Sequence, residues 1–298
     1  MTDNSEIALR PADWDSYVGQ KKLKERLQVS ITGAMARGAI IDHVLLVGGA
    51  GMGKTSLASL IAQESMEEFH SFVAPLKPKT LQKIFLERRG VIFIDEVHRQ
   101  PARDQEVLLP ILEDYKVIME NGEAVPIEHP MVVIAATTNL NKIIHPLRDR
   151  FTHKPKFDPY TDEEMATIIT RMAERLDIKL PKPHALALGK ASAGTPRQAR
   201  GLLFTARDLG TTNPKKVLEM AGITEDGLTE DHVAYLKALA RLTAVSERAG
   251  IDKIANMTGQ PKDILVDLEK LLLDRNYIDY TQTGRQLNLK GMRFVKSL

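Results

Sequence analysis

The chain contains no cysteine, which excludes a disulfide scaffold and any thiolate metal site. It has no apolar run approaching the roughly 18 residues of a membrane span. The opening MTDNSEIALRP has no basic stretch ahead of an apolar core, so no secretory leader and no membrane partner are expected. Internal repeats and low-complexity tracts are also missing. A net charge of +2 is too mild to announce a nucleic-acid partner by composition alone. These absences fit a reducing cytoplasm. What is present is ordinary globular composition, 43% hydrophobic and 27% charged over 298 residues. That length allows two or three domains of about 100–200 residues each.

Residues 1–8 are polar and expected to fray. The stretch QKKLKERLQVSITGAMARG spaces Leu23, Leu27, Ile31 and Ala34 as one helix face. HVLLVGG, GVIFIDE and MVVIAATT are short apolar runs of the kind buried in parallel sheets. A helix is predicted over 54–63. Strands alternating with helices give an α/β core over residues 1–159. The pattern changes near Tyr160. Thr161 and Glu164 form a capping-box pair, and residues 160–225 read as a small helical domain without strands. From 226 to 298 the order is helix, helix, helix, hairpin, the order of a winged helix.

Residues 48–55, GGAGMGKT, satisfy G-x-x-x-x-G-K-[ST] between a strand and a helix, the context the motif requires. Glycines let backbone N–H groups turn inward around phosphate oxygens, and the helix N-terminus adds positive dipole there. Lys54 brings a point charge to the β- and γ-phosphates, and Thr55 offers a hydroxyl to Mg²⁺. ATP and Mg²⁺ are therefore the expected cofactors. Asp95 and Glu96 end the second apolar strand. Asp95 is expected in the Mg²⁺ shell and Glu96 beside the attacking water. A merely solvated strand end is the alternative reading. His98 stays unassigned. AATTN at 135–139 ends the third strand with hydroxyls and an amide that could reach the γ-phosphate.

These three strand ends, in this order, resemble those of AAA+ ATPases, and within that class the RuvB branch-migration family. The similarity is carried by LRPADWDSYVGQ at 9–20, the P-loop segment, VIFIDEVHR at 91–99, LEDY at 112–115, AATT, PLRDRF at 146–151 and AGTPRQARGLL at 193–203. It implies an AAA+ P-loop domain, a helical lid and a C-terminal winged helix. It further implies that Leu9, Arg10, Tyr17 and Val18 line the adenine side, with Tyr160 also bordering the nucleotide. Gly51, Gly53, Lys54, Thr55 and Ser56 would bind phosphate. Thr138 would be the sensor at the third strand end, and Arg197 a second sensor from the lid. In HPLRDRF, Arg150 would enter a neighbour's site as the trans arginine, with Arg148 as understudy. The alternative there is an intrachain pair with Asp149.

The implied activity is an ATP-driven motor that migrates Holliday junctions in recombination and repair, as a ring, a hexamer by resemblance. A loader or remodeller of a replication protein and an ATP-gated DNA-binding module remain open. Two segments depart from the family pattern. The hairpin signalled by Asn121-Gly122 is shorter than the family's, and its tip ENGE is acidic where a RuvA-type adaptor would want an apolar anchor. A RuvA-type adaptor, another adaptor or none stay possible. The wing turn TQTGRQ keeps one arginine, Arg285, as the expected DNA contact. Residues 275–298 carry Arg275, Arg285, Lys290, Arg293 and Lys296 against Asp279, a basic tail suited to phosphate contact.

Overall fold

A computed structural model describes residues 9–244, 249–282 and 284–298. The expected fraying of residues 1–8, and Thr283 of the wing turn, lie outside the described residues. The chain divides into two compact units, Met1–Tyr160 and Thr161–Leu298.

In the first unit, α1 (Lys21–Ala36) buries Leu23, Leu27, Ile31 and Ala34, the face its spacing predicts. β1 (Val44–Val47) leads through the glycine loop into α2 (Lys54–Glu64). Then come β2 (Phe69–Val73), α3 (Pro78–Glu87), β3 (Gly90–Asp95) and two short helices, α4 (Ala102–Gln105) and α5 (Leu108–Asp114). A small hairpin of β4 (Lys116–Ile118) and β5 (Ala124–Pro126) precedes β6 (Met131–Thr137) and α6 (His145–Asp149).

One parallel sheet runs in the order β1-β6-β3-β2. Residues 153–157 continue it beyond β1, because the Leu45 and Val47 N–H groups donate to the carbonyls of His153 and Pro155 at 2.8 and 3.0 Å. Every residue of β6, and all but the last of β1 and of β3, is buried. Helices covering both faces of a parallel sheet require such runs. Phe85, Ile92, Ile111, Val133, Leu147 and Phe151 pack into one cluster, each contributing on the order of 1.5–3 kcal/mol from burial.

The sequence reading placed no strand between α2 and β3. The structure adds β2 there as the edge strand. FHSFV has two polar residues, His70 and Ser71, in its middle and is at most half-buried, so it lacks the continuous apolar run of the inner strands. α3 follows with proline in its first turn and Leu81, Ile84 and Phe85 buried. The Asn121-Gly122 hairpin forms as expected, by a three-residue route. Gly122 N–H donates to Met119 O at 2.9 Å, Met119 N–H to Glu123 O at 2.8 Å, and Gly122 takes a φ of 85°.

The second unit opens with four helices, α7 (Asp162–Arg175), α8 (Lys182–Ala191), α9 (Pro196–Asp208) and α10 (Pro214–Ala221). The predicted capping box is present in both halves: Glu164 N–H donates to Thr161 Oγ1 at 3.1 Å, and Thr161 N–H to Glu164 Oε2 at 3.0 Å. α11 (Glu230–Ala244), α12 (Ile251–Thr258), α13 (Lys262–Asp274), β7 (Ile278–Thr281) and β8 (Gly284–Leu287) then give the helix–helix–helix–hairpin order. Gly259 ends α12 in the left-handed region at φ 70°. A last helix, α14 (Leu289–Lys296), was not expected from the sequence.

Arg285, the expected DNA contact, is engaged within its own unit. Its guanidinium grips Glu269, a fully buried carboxylate, through Nε at 2.8 Å and Nη2 at 3.2 Å. Tyr235 and Tyr280 donate their hydroxyls to the same carboxylate at 2.5 and 2.6 Å. Burial would raise the Glu269 pKa, but these donors more than offset it and hold the group below its ordinary range. Glu269 needs a cation, and Arg285 supplies it. The basic tail shrinks likewise. Arg275 pairs with Asp162 at 2.8 Å and Lys290 with Asp226 at 2.6 Å. Three of the five tail cations therefore neutralise acids of the same unit. Arg293 and Lys296 stay exposed on α14. Arg285→Ala is accordingly expected to lower stability by about 3–5 kcal/mol, read by urea denaturation of the intact chain. A loss below about 1 kcal/mol, the range of surface pairs, would contradict this structural role.

Candidate functional site

The sheet order sets the site. Sequence order is β1, β3, β6, yet β6 lies between β1 and β3. β6 therefore ends between the P-loop and the paired acids, at the carboxyl edge where open α/β sheets bind ligands.

The loop after β1 is shaped by its glycines at two points. A Cβ on Gly48 would sit 2.8 Å from Phe157 Cβ, and Gly53, at φ 91°, faces the Tyr17 hydroxyl, 3.0 Å from where its own Cβ would be. α2 starts at Lys54 without a side-chain cap on Gly53. A helix start of this kind favours an anion. The buried Lys54 ammonium donates to the carbonyls of Gly48 at 2.9 Å and Gly49 at 2.8 Å. Gly49 N–H meets the Met52 thioether at 3.1 Å, a weak acceptor that a phosphate oxygen outcompetes. Gly51 also lies in the left-handed region, at φ 75°, and Thr55 and Ser56 are half-buried in the first turn of α2.

The expected adenine-side residues divide by exposure. Leu9 and Tyr17 are buried, Val18 is half-buried and Arg10 is exposed. Tyr17 donates its hydroxyl to Gly53 O at 3.4 Å, and Tyr160 to Met52 O at 3.2 Å. Both tyrosines therefore brace the phosphate loop. Burial, reinforced by the neighbouring Tyr160, pushes the Tyr17 hydroxyl well above its ordinary pKa, so it stays a donor.

Asp95 closes β3, and its Oδ1 accepts the Glu96 N–H at 2.9 Å. Glu96 then adopts φ 52°, a left-handed conformation uncommon for a non-glycine residue. This turn swings its side chain toward β6. Thr138 donates its hydroxyl to Glu96 Oε2 at 3.1 Å. Glu96 and the expected sensor Thr138, separated by 42 residues in sequence, are thus in direct contact.

The sequence reading left out His98, which belongs here. Its Nδ1 lies 3.1 Å from Glu96 Oε2 and 3.1 Å from Thr137 Oγ1. Burial lowers its pKa, Glu96 opposes, and Lys142, Arg99 and Lys54 add to the lowering. The ring's hydrogen bond is to Thr137, and it lies beside the Glu96 carboxylate. The available signal was the spacing in DEVH, because the 3-10 turn Val97–Arg99 folds His98 back onto Glu96.

The family models agree with this geometry. The Holliday junction DNA helicase RuvB P-loop domain matches residues 9–157, the RuvB AAA lid domain 160–233 and the RuvB C-terminal winged helix domain 225–296. The chain belongs to the RuvB family. It is similar to the Holliday junction branch migration complex subunit RuvB of a Nitratiruptor species, 35% identical over 98% of this chain and 92% of that one. The same subunit of Helicobacter acinonychis is 33% identical over 98% of this chain and 93% of its own length. Among solved structures, the Thermotoga maritima RuvB Holliday junction branch migration motor superposes with a TM-score of 0.84 at 30% identity, covering 97% of this chain and 98% of that chain. The chain is an AAA+ ATPase with the α/β core, lid and winged helix of that family.

Within this RuvB frame, HPLRDRF separates its two arginines. Leu147 and Phe151 are anchored in the core. Arg148 is held by backbone carbonyls, Nε on Ile143 O at 2.7 Å and Nη2 on Asn141 O at 3.3 Å. Arg150 places Nε and Nη2 on Glu113 Oε2 at 3.0 and 2.5 Å, and Nη1 on Pro146 O at 3.2 Å. Asp149 pairs instead with His145 at 2.9 Å, so the intrachain Arg–Asp alternative gives way to an Arg–Glu pair. Arg197 stands exposed at the second position of α9, where Pro196 opens the helix. The hairpin departs from an apolar docking tip as expected. Glu120 at its tip pairs with Lys79 at 3.1 Å, while exposed Tyr115 and Ile118 stand at its stem.

Gly48→Ala tests the loop geometry. Gly48 N–H is fixed to Thr137 O at 3.1 Å and Phe157 N–H to Val47 O at 2.8 Å, so neither backbone yields easily. Overpacking costing about 1–3 kcal/mol is expected to weaken ATP affinity about tenfold or more. A fluorescent-nucleotide titration with unchanged affinity would refute the packing argument.

Proposed function

We propose that this chain is the motor subunit of a ring, a hexamer, that hydrolyses Mg–ATP in the cytoplasm to drive branch migration of Holliday junctions. Among the described residues no helix is long and apolar enough to cross a membrane. The observation that supports the reading best is the Thr138–Glu96 contact beside the P-loop. It joins the strand that senses the γ-phosphate to the carboxylate that handles the water.

The uncapped start of α2, the loop N–H groups and Lys54 fit a triphosphate. Thr55 and Asp95 fit a Mg²⁺ that takes its remaining ligands from phosphate and water, as this ion ordinarily does. The cation supplies charge neutralisation on the phosphates. Glu96 accepts the proton of the attacking water. Arg150 enters the neighbouring subunit's site, and Arg197 relays loss of the γ-phosphate through the lid. Arg150 suits the trans role better than Arg148, because its main partner is an exposed carboxylate that a stronger anion replaces. Leu9, Arg10, Tyr17 and Val18 hold the base side, with Tyr160 behind the loop. DNA phosphates meet Arg293 and Lys296 rather than Arg285, giving an affinity that falls with salt. The acidic, shortened hairpin leaves the adaptor open between a RuvA-type protein, another protein and none.

The purified chain is expected to migrate a synthetic four-way junction with ATP, and Glu96→Gln to abolish movement while still binding nucleotide. ATP turnover stimulated by a protein partner without strand movement would replace this reading with that of a loader or remodeller. Arg150→Ala should keep ATP binding yet lose turnover by about 10³-fold or more. Mixing it with Lys54→Ala protein should restore part of the activity. Mixtures in which no activity returns would return Arg150 to its own chain.

A further inference from the structure

We propose that Gln20 is a positioning residue for nucleotide selection: it fastens the base-side segment to the strand that backs the phosphate loop, and so sets how tightly a purine is held. This rests on the reading of Leu9, Tyr17 and Val18 as the base side. Gln20 opens α1 but makes no side-chain cap. Its carbonyl accepts Lys24 N–H at 2.9 Å, the first bond of the helix. Its amide is sent 138 residues along the chain instead. Gln20 Nε2 donates to Asp158 O at 2.7 Å, and Asp158 N–H donates to Gln20 Oε1 at 3.0 Å. Donor and acceptor of the amide are thus both spent on the main chain of one residue, much as a neighbouring strand would spend its own peptide groups.

The backbone shows that this link is not incidental. Gln20 is buried and left-handed, at φ 51° and ψ 35°. A non-glycine residue persists in that conformation only when its surroundings hold it. Glycine would adopt it without strain, so the turn alone does not call for glutamine, and the amide does. Asp158 follows Phe157, which lies against Gly48 and donates its N–H to Val47 O at 2.8 Å. Two residues further on, Tyr160 donates to Met52 O at 3.2 Å. Residues 157–160 therefore touch the phosphate loop twice and the base-side segment once, through Gln20. On the other side, the Lys24 ammonium donates to the carbonyls of Trp14 at 2.9 Å and Tyr17 at 2.7 Å, which ties that segment to α1. A wall fixed before the base arrives spares the ordering cost of binding. The loop keeps its own support in Gly48 N–H to Thr137 O at 3.1 Å, so loss of the Gln20 amide loosens the base side more than the phosphate side.

The test measures the affinities of the full chain and of Gln20→Ala for Mg–ATP and Mg–CTP, by competition against a fluorescent ATP analogue, with ATPase kinetics alongside. The two nucleotides carry the same triphosphate, so the ratio of their affinities reads the base alone. The wild type is expected to prefer ATP. Gln20→Ala should weaken ATP about tenfold and CTP by less than about threefold. KM for ATP should rise with kcat within about twofold. Should Gln20→Ala fail to fold, Gln20→Gly meets the same φ without strain, lacks the amide and carries the same expectation. If the wild type binds ATP and CTP equally, the reading of the base side falls, and this proposal with it. If the wild type prefers ATP and the variant keeps that preference, the positioning role alone is overturned. Affinities that fall together leave Gln20 a structural support of the whole site, and affinities that both stay leave its amide without effect on the nucleotide.

Discussion

Adjacency of β6 to both β1 and β3 is the constraint on which the nucleotide site depends. Three segments separated by tens of residues become neighbours because a parallel sheet spaces its strands about 4.8 Å apart. With β6 in the middle, a hydroxyl at its end reaches the carboxylate after β3, while its main chain holds the start of the P-loop through Gly48 N–H to Thr137 O at 3.1 Å. Thr137 thus serves both sides, its carbonyl on the loop and its hydroxyl toward His98. A change at the phosphate loop and a change at the acids are mechanically joined through one residue that is fully buried. The surrounding apolar cluster gives that residue no room to adjust independently.

The second unit is organised by its acids rather than its cations. Glu269 is buried without exposure, and Asp226 and Asp162 are partly buried. Hydrogen bonds from Lys190, Lys290 and Tyr277 outweigh burial and hold Asp226 below the ordinary carboxylate range, and Arg275 does the same for Asp162. Lys190 lies on α8 and Lys290 on α14, so Asp226 ties a lid helix to a winged-helix element. Arg275 adds a second tie, from the end of α13 to the start of α7. The contacts that use up the basic tail also make helices 162–221 and the winged helix one compact body.

How far the sequence could be read follows the same division. Motifs whose chemistry is local were legible: the P-loop, the capping box at Thr161, the apolar runs of β1, β3 and β6, and the stripe of α1 all formed as their spacing required. Elements whose stability comes from distant partners were not. β2 is half-exposed and takes its hydrogen bonds from β3, so its own residues carry a weak signal. Arg285 and Glu269 are 16 residues apart on different elements, and nothing in TQTGRQ reveals that a buried acid waits behind it. His98 could be named from DEVH but not assigned, for a related reason. Its partner Thr137 lies 39 residues away, and only the sheet order brings them together.

The two arginines of HPLRDRF show how magnitudes separate what the sequence left joined. Both are bonded within their own chain, yet the bonds differ in kind. Arg148 satisfies carbonyls that would otherwise go without a donor, and their distances of 2.7 and 3.3 Å make it part of the turn before α6. Arg150 is held mainly by one oxygen of an exposed glutamate. Exposed ion pairs contribute about 0–1 kcal/mol. A trans arginine worth about 10³–10⁵ in rate corresponds to about 4–7 kcal/mol of transition-state stabilisation. The developing charge on a neighbour's phosphate would therefore outcompete Glu113 by a wide margin. A guanidinium has five N–H donors. Arg150 engages three of them on Glu113 and Pro146, so two remain for an incoming anion even before that pair opens.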